Sequence, residues 1–398
     1  MIYFIVITYL IVLSISFDFL RVKGPKKFFY YFTLIIFILV AGLRWKVGGD
    51  SLIYQLRFET LIYPLNQFSK INFLELGWEP GYLLLNSIAK TIIPEFWFFQ
   101  LIQAIFVNVI LFDFFKKHTP YLFTSLALYA FFYYFYFNME ILREIIPICV
   151  FVKWMYPALE KGNYKKYYII NFIMLFFHTS SFILFLFPLF STFKLNRKGF
   201  IFLGSLTLLF IIIFSVYPNV LSFLAFTDRI ANKIDIYTKY DLSLNGMIYL
   251  FIVFGLFPYS LFSLNKKYYK KVVFEELIYP YFFIVAIYIS YSGFARFMNY
   301  FGPFMIVYLV NTIYLVNHIN KFRKIKFLYS FILILIPIIY KTQYYMADTS
   351  QYYKNTNKLN LWMPYSSIFN KEDVFQQREI IFIESMNNSN NNSKKREN

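Results

Sequence analysis

Apolar blocks long enough to cross a hydrocarbon layer, which takes about 20 residues as a helix, recur along this chain from Met1 to Met346. A water-soluble globule has nowhere to put so much apolar surface. Only 15% of the 398 residues are charged while 24% are aromatic, against about a quarter charged in an average soluble domain. The medium around the fold is therefore the membrane. Inside lipid every backbone polar group needs a partner from the chain itself, and for blocks of this length and pattern that means helices. The reading is an all-α polytopic membrane protein with about 10–13 transmembrane or re-entrant helices. Its membrane bundle covers residues 1–346 and its polar C-terminal tail residues 347–398, with a disordered end in the asparagine run from Asn387.

The formal net charge is +18, from Lys+Arg 39 against Asp+Glu 21. In a soluble protein that excess suggests nucleic acid; here it sits in the short breaks between apolar blocks. The clusters are Arg21 to Lys27, Lys116 with Lys117, Lys161 to Lys166, Lys194 to Lys198, Lys266 to Lys271 and Lys321 to Lys326. Short Lys/Arg-rich loops stay on the cytoplasmic side, so topology accounts for the charge and no nucleic acid is implied. The first block, Met1 to Leu20, lacks a basic start and a small-residue cleavage site and reads as a span. Cys149 is the single cysteine, so no intrachain disulfide can form.

Spans read at Met1 to Leu20, Phe28 to Leu43, Phe96 to Phe115, Tyr121 to Met139, Glu144 to Ala158, Phe200 to Tyr217, Met247 to Leu264, Leu277 to Ser290, Gly302 to Ile319 and Phe327 to Tyr345. Two segments are ambiguous. Gly81 to Ile93 carries Asn86 and Lys90 and stops at Pro94, and Tyr167 to Ser191 is interrupted by His178, Thr179, Ser180 and Ser181. With all basic loops inside, the first cannot complete a crossing. The second is held at both ends by lysines on one side, so it must cross twice or not at all. An intramembrane hairpin with His178 near its apex meets that demand, and broken backbone at membrane depth needs a polar cavity or protein cover.

The same assignment puts Arg44, Asp50, Arg143, His178 and Arg296 at outer span ends or in outer loops, the longer of which run over 44–80 and 218–245. Ionisable groups near bilayer depth are costly and usually line a substrate path, so a site facing the exterior is expected. No phosphate loop, dinucleotide fingerprint or HExxH pattern occurs, and His118, His178 and His318 lie too far apart in the chain for a metal set. No metal and no cofactor is expected. The segment Arg44 to Tyr54 contains Gly48 and Gly49 between Arg44 and Asp50, which allows a tight turn.

Motif order carries a resemblance. Arg44 and Val47-Gly48-Gly49-Asp50 with Tyr54, then Trp78-Glu79-Pro80-Gly81-Tyr82, Asn138 and Arg143, Phe177-His178-Thr179-Ser180, Arg296-Phe297 before Tyr300-Phe301, and Pro364-Tyr365 follow one another as in the EpsG family. That family is similar to the Wzy-type polymerases of bacterial surface polysaccharides. Glu144 departs from the pattern, where the family more usually has Gln beside the Arg.

The resemblance implies a GT-C-like bundle and a membrane-embedded glycosyltransferase in the bacterial cytoplasmic (inner) membrane. Its donor would be an oligosaccharide repeat on undecaprenyl diphosphate, with membrane lipid around it and a flippase and a chain-length regulator as further partners. Arg44, Arg143 and Arg296 are the candidates to hold the diphosphate, because a guanidinium fork matches phosphate oxygens. His178 is first choice and Asp50 second for the base that takes the acceptor proton. Glu79, Trp78, Tyr82 and Tyr365 are expected to meet sugar. A ligase moving finished glycan to another acceptor would share the donor chemistry. A lipid-linked oligosaccharide flippase would need no base and should show related halves, and no internal repeat is evident.

Overall fold

The computed structural model describes residues 2–191, 244–269, 272–290, 292–319, 326–347 and 357–371, with isolated positions at 199, 205, 209 and 213. Nearly all of the expected span Phe200 to Tyr217 and of loop 218–245, and the whole of the Lys194 to Lys198 cluster and of the asparagine-rich end, lie outside the described residues. The described chain is all-α, a polytopic membrane protein in which no strand forms. Among the described residues four helices are long and apolar enough to cross a membrane: Ile2–Phe19, Phe96–His118, Asn245–Tyr268 and Phe294–His318.

Two blocks that read as single spans are continuous helices whose register is shifted by π turns. Tyr121 to Met139 starts as an α-helix, Leu122–Tyr129, and continues through two π turns, Ala130–Tyr134 and Tyr136–Glu140. The block from Glu144 likewise passes from Ile145–Val150 through a π turn at Phe151–Met155 to Tyr156–Glu160. A π turn widens the helix by a residue and is found mostly where side chains must be re-aimed. Here the first block ends by delivering buried Asn138 and Glu140. Asn138 accepts from Asn108 Nδ2 at 2.8 Å and donates to the Tyr129 hydroxyl at 2.8 Å, so its amide is satisfied inside the bundle.

The chain forms two compact units. The first comprises Met1–Val150, Ile173–Thr179 and Pro337–Asn398, and the second Phe151–Phe172 and Ser180–Ile336. In the first unit Asp18, a carboxylate within the opening apolar helix, would be costly unpaired. Its Oδ2 accepts the backbone N–H of Thr124 at 2.7 Å and the Thr124 hydroxyl at 2.9 Å. Thr124 stands in the first turn of Leu122–Tyr129, so the acid satisfies a free amide at a helix N-terminus. In the second unit the Asn265 amide donates to Thr312 Oγ1 at 2.7 Å, between helices Phe257–Tyr268 and Gly302–His318.

The interrupted segment is built as a helical hairpin. Helix Tyr164–Leu175 leads to a break at residues 176–178, and the chain resumes as the 3₁₀ helix Thr179–Leu186 and the short helix Phe187–Ser191. The Tyr167 hydroxyl donates to the Leu184 carbonyl at 2.7 Å, and the Tyr168 and Phe185 rings stack at 5.8 Å. Residues 17 apart on a continuous helix would be roughly 25 Å apart, so these contacts require antiparallel arms. An arm of 12 residues spans only about 18 Å, short of the hydrocarbon thickness of about 30 Å. Reporter fusions after Lys166 and after Ser191 are expected to read the same compartment, and opposite compartments would mean that the segment crosses once.

Candidate functional site

The stretch between Arg44 and Pro80, expected as an outer loop, is itself folded. Helix Gly49–Thr60 packs Tyr54 and Phe58 into an apolar cluster with Trp78, Tyr82, Leu83, Phe96 and Phe99. A helix of 12 residues is marginal in isolation, and this one is closed at both ends by charged side chains distant in sequence. At its start the Glu140 carboxyl accepts the backbone N–H groups of Gly49 at 2.7 Å and Asp50 at 3.0 Å. At its end Lys90 Nζ donates to the carbonyls of Phe58 at 2.6 Å, Ile62 at 2.8 Å and Glu59 at 3.2 Å. An acid at the N-terminus and a cation at the C-terminus both complement the helix dipole. Gly48 makes the approach possible. Its φ of +100° is a region L side chains avoid, and a Cβ there would lie 2.8 Å from the Met139 carbonyl oxygen.

Lys90 explains helix Pro80–Ile92, which holds the other ambiguous segment. Its 13 residues reach about 20 Å, and its cation is spent on the end of helix Gly49–Thr60 instead of on a crossing.

Arg143 sits in the turn that follows Glu140. Its Nη1 donates to Glu79 Oε2 at 2.7 Å and its Nε to the Tyr54 hydroxyl at 3.4 Å, while the guanidinium lies 5.6 Å from the Trp78 ring centroid. Arg57 lies 5.2 Å from the same Trp78 ring. Glu79 uses its second oxygen, Oε1, to accept the backbone N–H of Thr179 at 3.1 Å. One carboxylate thus ties Arg143 to the hairpin tip, where His178 is buried at 6% exposure. Gly81 brings the two elements together: its N–H donates to the Phe176 carbonyl at 2.7 Å, and a Cβ at this position would come within 2.6 Å of that oxygen.

Arg44 differs from expectation. It is buried at 1% exposure, its Nε donates to the Val47 carbonyl at 3.3 Å and its Nη1 to that of Ala41. A guanidinium placed that way fastens the turn it belongs to. Residues 357–371 complete the fastening. The Trp45 N–H donates to the Ser366 carbonyl at 2.9 Å, the Gly48 N–H to Leu361 at 2.8 Å and the Ile368 N–H to Leu43 at 3.0 Å. Tyr365, expected to meet sugar, donates its hydroxyl to the Val40 carbonyl at 3.1 Å. Burial pushes its phenol up to about 12, opposed by the Arg44 charge, so it remains a donor at neutral pH. Tyr82 is fully buried with its ring against Trp78 at 5.5 Å and Phe99 at 5.6 Å, so both it and buried Trp78 build the wall and offer little face to a sugar.

Asp50 is exposed on the first turn of its helix. Arg296 is exposed on the 3₁₀ helix Ser292–Phe301 of the second unit. Glu144, where the motif departs, is buried at 2%. Among the described residues no group of three His, Cys, Asp or Glu side chains could hold a metal ion. Glu140 is the site residue that sequence reasoning passes over. Its one signal is an acid at the outer margin of an apolar block, a position that demands a partner. Replacing Glu140 by Ala is expected to strip both helix amides of their acceptor and lower stability by about 1–3 kcal/mol. Gln, which keeps one acceptor oxygen, should lose less; thermal unfolding of the detergent-purified variants measures the difference.

A family model described as the EpsG family matches residues 27–367, which takes in the glycine turn, Arg143, the hairpin and the Ser366 contact of the tail. The chain belongs to the EpsG family. The EpsG family is related to polysaccharide polymerases, which gives the general role of this protein. No curated protein matches the EpsG-family chain, and no solved structure does.

Proposed function

We propose that this EpsG-family protein is a polymerase of bacterial surface polysaccharide. It joins oligosaccharide repeats carried on undecaprenyl diphosphate by glycosyl transfer at the outer face of the cytoplasmic membrane. In the proposed reaction an acceptor hydroxyl oxygen attacks the anomeric carbon of the donor sugar, the bond from that carbon to phosphate oxygen breaks, and undecaprenyl diphosphate leaves. His178 takes the hydroxyl proton, with exposed Asp50 as the second candidate. Arg143 balances charge developing on the diphosphate, a role a preorganised guanidinium can fill without a metal or a nucleotide.

The observation that carries this reading is the double use of Glu79. One oxygen holds Arg143 at 2.7 Å and the other holds the Thr179 amide at 3.1 Å, so a guanidinium and the residue next to His178 are orientated by one carboxylate. A cation for the leaving group and a base for the nucleophile, set on a common support, suit glycosyl transfer. Glu79 then acts as a positioning residue. The testing experiment is the glycan profile of a strain lacking the gene. Acceptor carrying a single repeat supports a polymerase, acceptor carrying none points to a ligase or a flippase, and full-length glycan refutes all three.

A further inference from the structure

A second cationic feature lies where helix Lys326–Tyr345 ends and the tail segment begins. Lys341 Nζ lies 4.3 Å from the centroid of the Tyr344 ring, 5.0 Å from that of Tyr345 and 5.8 Å from that of Tyr136. Lys358 Nζ lies 4.3 Å from the same Tyr344 ring. The two ammonium groups are therefore no more than about 8.6 Å apart, since each is 4.3 Å from one centroid. Lys358 is held there through its backbone, whose N–H donates to the Ala347 carbonyl at 3.0 Å at the start of a 3₁₀ helix with an Asn357–Asn360 capping box.

Neither ammonium has a hydrogen bond or an ion pair among the described residues, and the Tyr344 hydroxyl has no acceptor there. Both lysines are only partly exposed. A cation over an aromatic face is an ordinary contact for one lysine. A second cation on the same ring gains less and adds repulsion. Glu140 attracts Lys358 without forming an ion pair with it, its two oxygens already serve Gly49 and Asp50, and both Glu140 and Asp50 act electrostatically on the Tyr344 hydroxyl. Burial meanwhile draws the Lys358 ammonium below the usual lysine range, and an anion seated beside it would oppose that shift.

We propose that Lys341 and Lys358, with the Tyr344 hydroxyl, form a binding site for an oxyanion of the phosphate class. Lysine suits that ligand as a compact point charge with three donors, and two such charges flanking one phosphate remove each other's repulsion. The phosphate can come from water or from a phospholipid headgroup. The inference is independent of the polymerase reading, because it concerns binding alone.

The test uses the full-length protein in a neutral, phosphate-free maltoside detergent, titrated with inorganic phosphate and, separately, with a short-chain phosphatidylglycerol. Trp362, whose ring is 5.6 Å from that of Tyr345, gives a fluorescence report close to the site. Saturable binding of either probe is expected, weakened about tenfold or more in Lys341→Met and in Lys358→Met, in keeping with loss of a charge-assisted hydrogen bond. The Arg variants at both positions should bind like wild type, which separates loss of charge from loss of fold. Saturation by phosphate and its competition by the lipid identify one site open to both; saturation by the lipid alone identifies a headgroup site. Absence of saturable binding by both probes, or Met variants that bind as wild type does, overturns the proposal.

Discussion

Glutamine in place of His178 is expected to leave the protein inserted and able to bind donor while turnover falls about 100- to 10,000-fold, the usual cost of losing a general base. Gln approximates the size and hydrogen bonding of His and cannot accept the acceptor proton. His178 is buried at the hairpin tip, and the amide that follows it is held by Glu79, so its backbone should stay in place when the ring is changed. Purified variant and lipid-linked repeat allow donor binding and turnover to be measured separately. Turnover within a few-fold of wild type, about 1 kcal/mol in barrier, would make His178 a structural residue and move the role to Asp50. Loss of donor binding together with turnover would place His178 in the substrate clamp.

Arg143→Lys is expected to lower turnover by about 100- to 1,000-fold, the range seen when one preorganised donor to a developing anion is removed. Lys keeps the charge and loses the fork. In the wild type Nη1 reaches Glu79 and Nε reaches Tyr54 while the guanidinium plane covers Trp78, and an ammonium cannot hold all three relations. Removing the charge as well, in Arg143→Met, should also destabilise the protein by about 3–5 kcal/mol, because Glu79 would be left as a largely buried charge without its partner. Since Glu79 and Arg143 act as a unit, the losses from Arg143→Lys and Glu79→Gln should combine less than additively in the double variant. Glycan ladders of wild-type length and amount from Arg143→Lys would exclude the diphosphate role.

The hairpin is legible in the sequence because the positive-inside rule turns it into parity: lysines flank both ends, so the chain between them must return. The Tyr167 to Leu184 contact follows from that reasoning. The capping of helix Gly49–Thr60 is a different matter. Glu140 lies 90 residues beyond Asp50, and nothing in either local pattern says that one will meet the other. Lys90 misleads in the same way, since a lysine in an apolar segment invites a question about crossing when its ammonium is taken up by three carbonyls. Arg44 and Arg143 look alike in sequence, each at the margin of an apolar block. Only packing separates the buried one that fastens its own turn from the one that lies against Glu79 and Trp78. Tyr365 is singled out by motif order, yet its contact with Val40 depends on a tail that composition alone marks as polar.

The clasp between the glycine turn and residues 357–371 also sets an order of events during synthesis. Membrane helices are inserted as they emerge, from the N-terminus onward. The turn at Gly48 is made early, but Leu361 and Ser366, which accept from Gly48 and Trp45, are translated long after it. Until then the Trp45 and Gly48 amides have no tail to donate to, and the ground around Asp50 stays unset. A nascent or prematurely terminated chain would therefore carry His178 and Arg143 in the membrane without a finished turn beside them. The turn would be complete only once that late segment has emerged and docked.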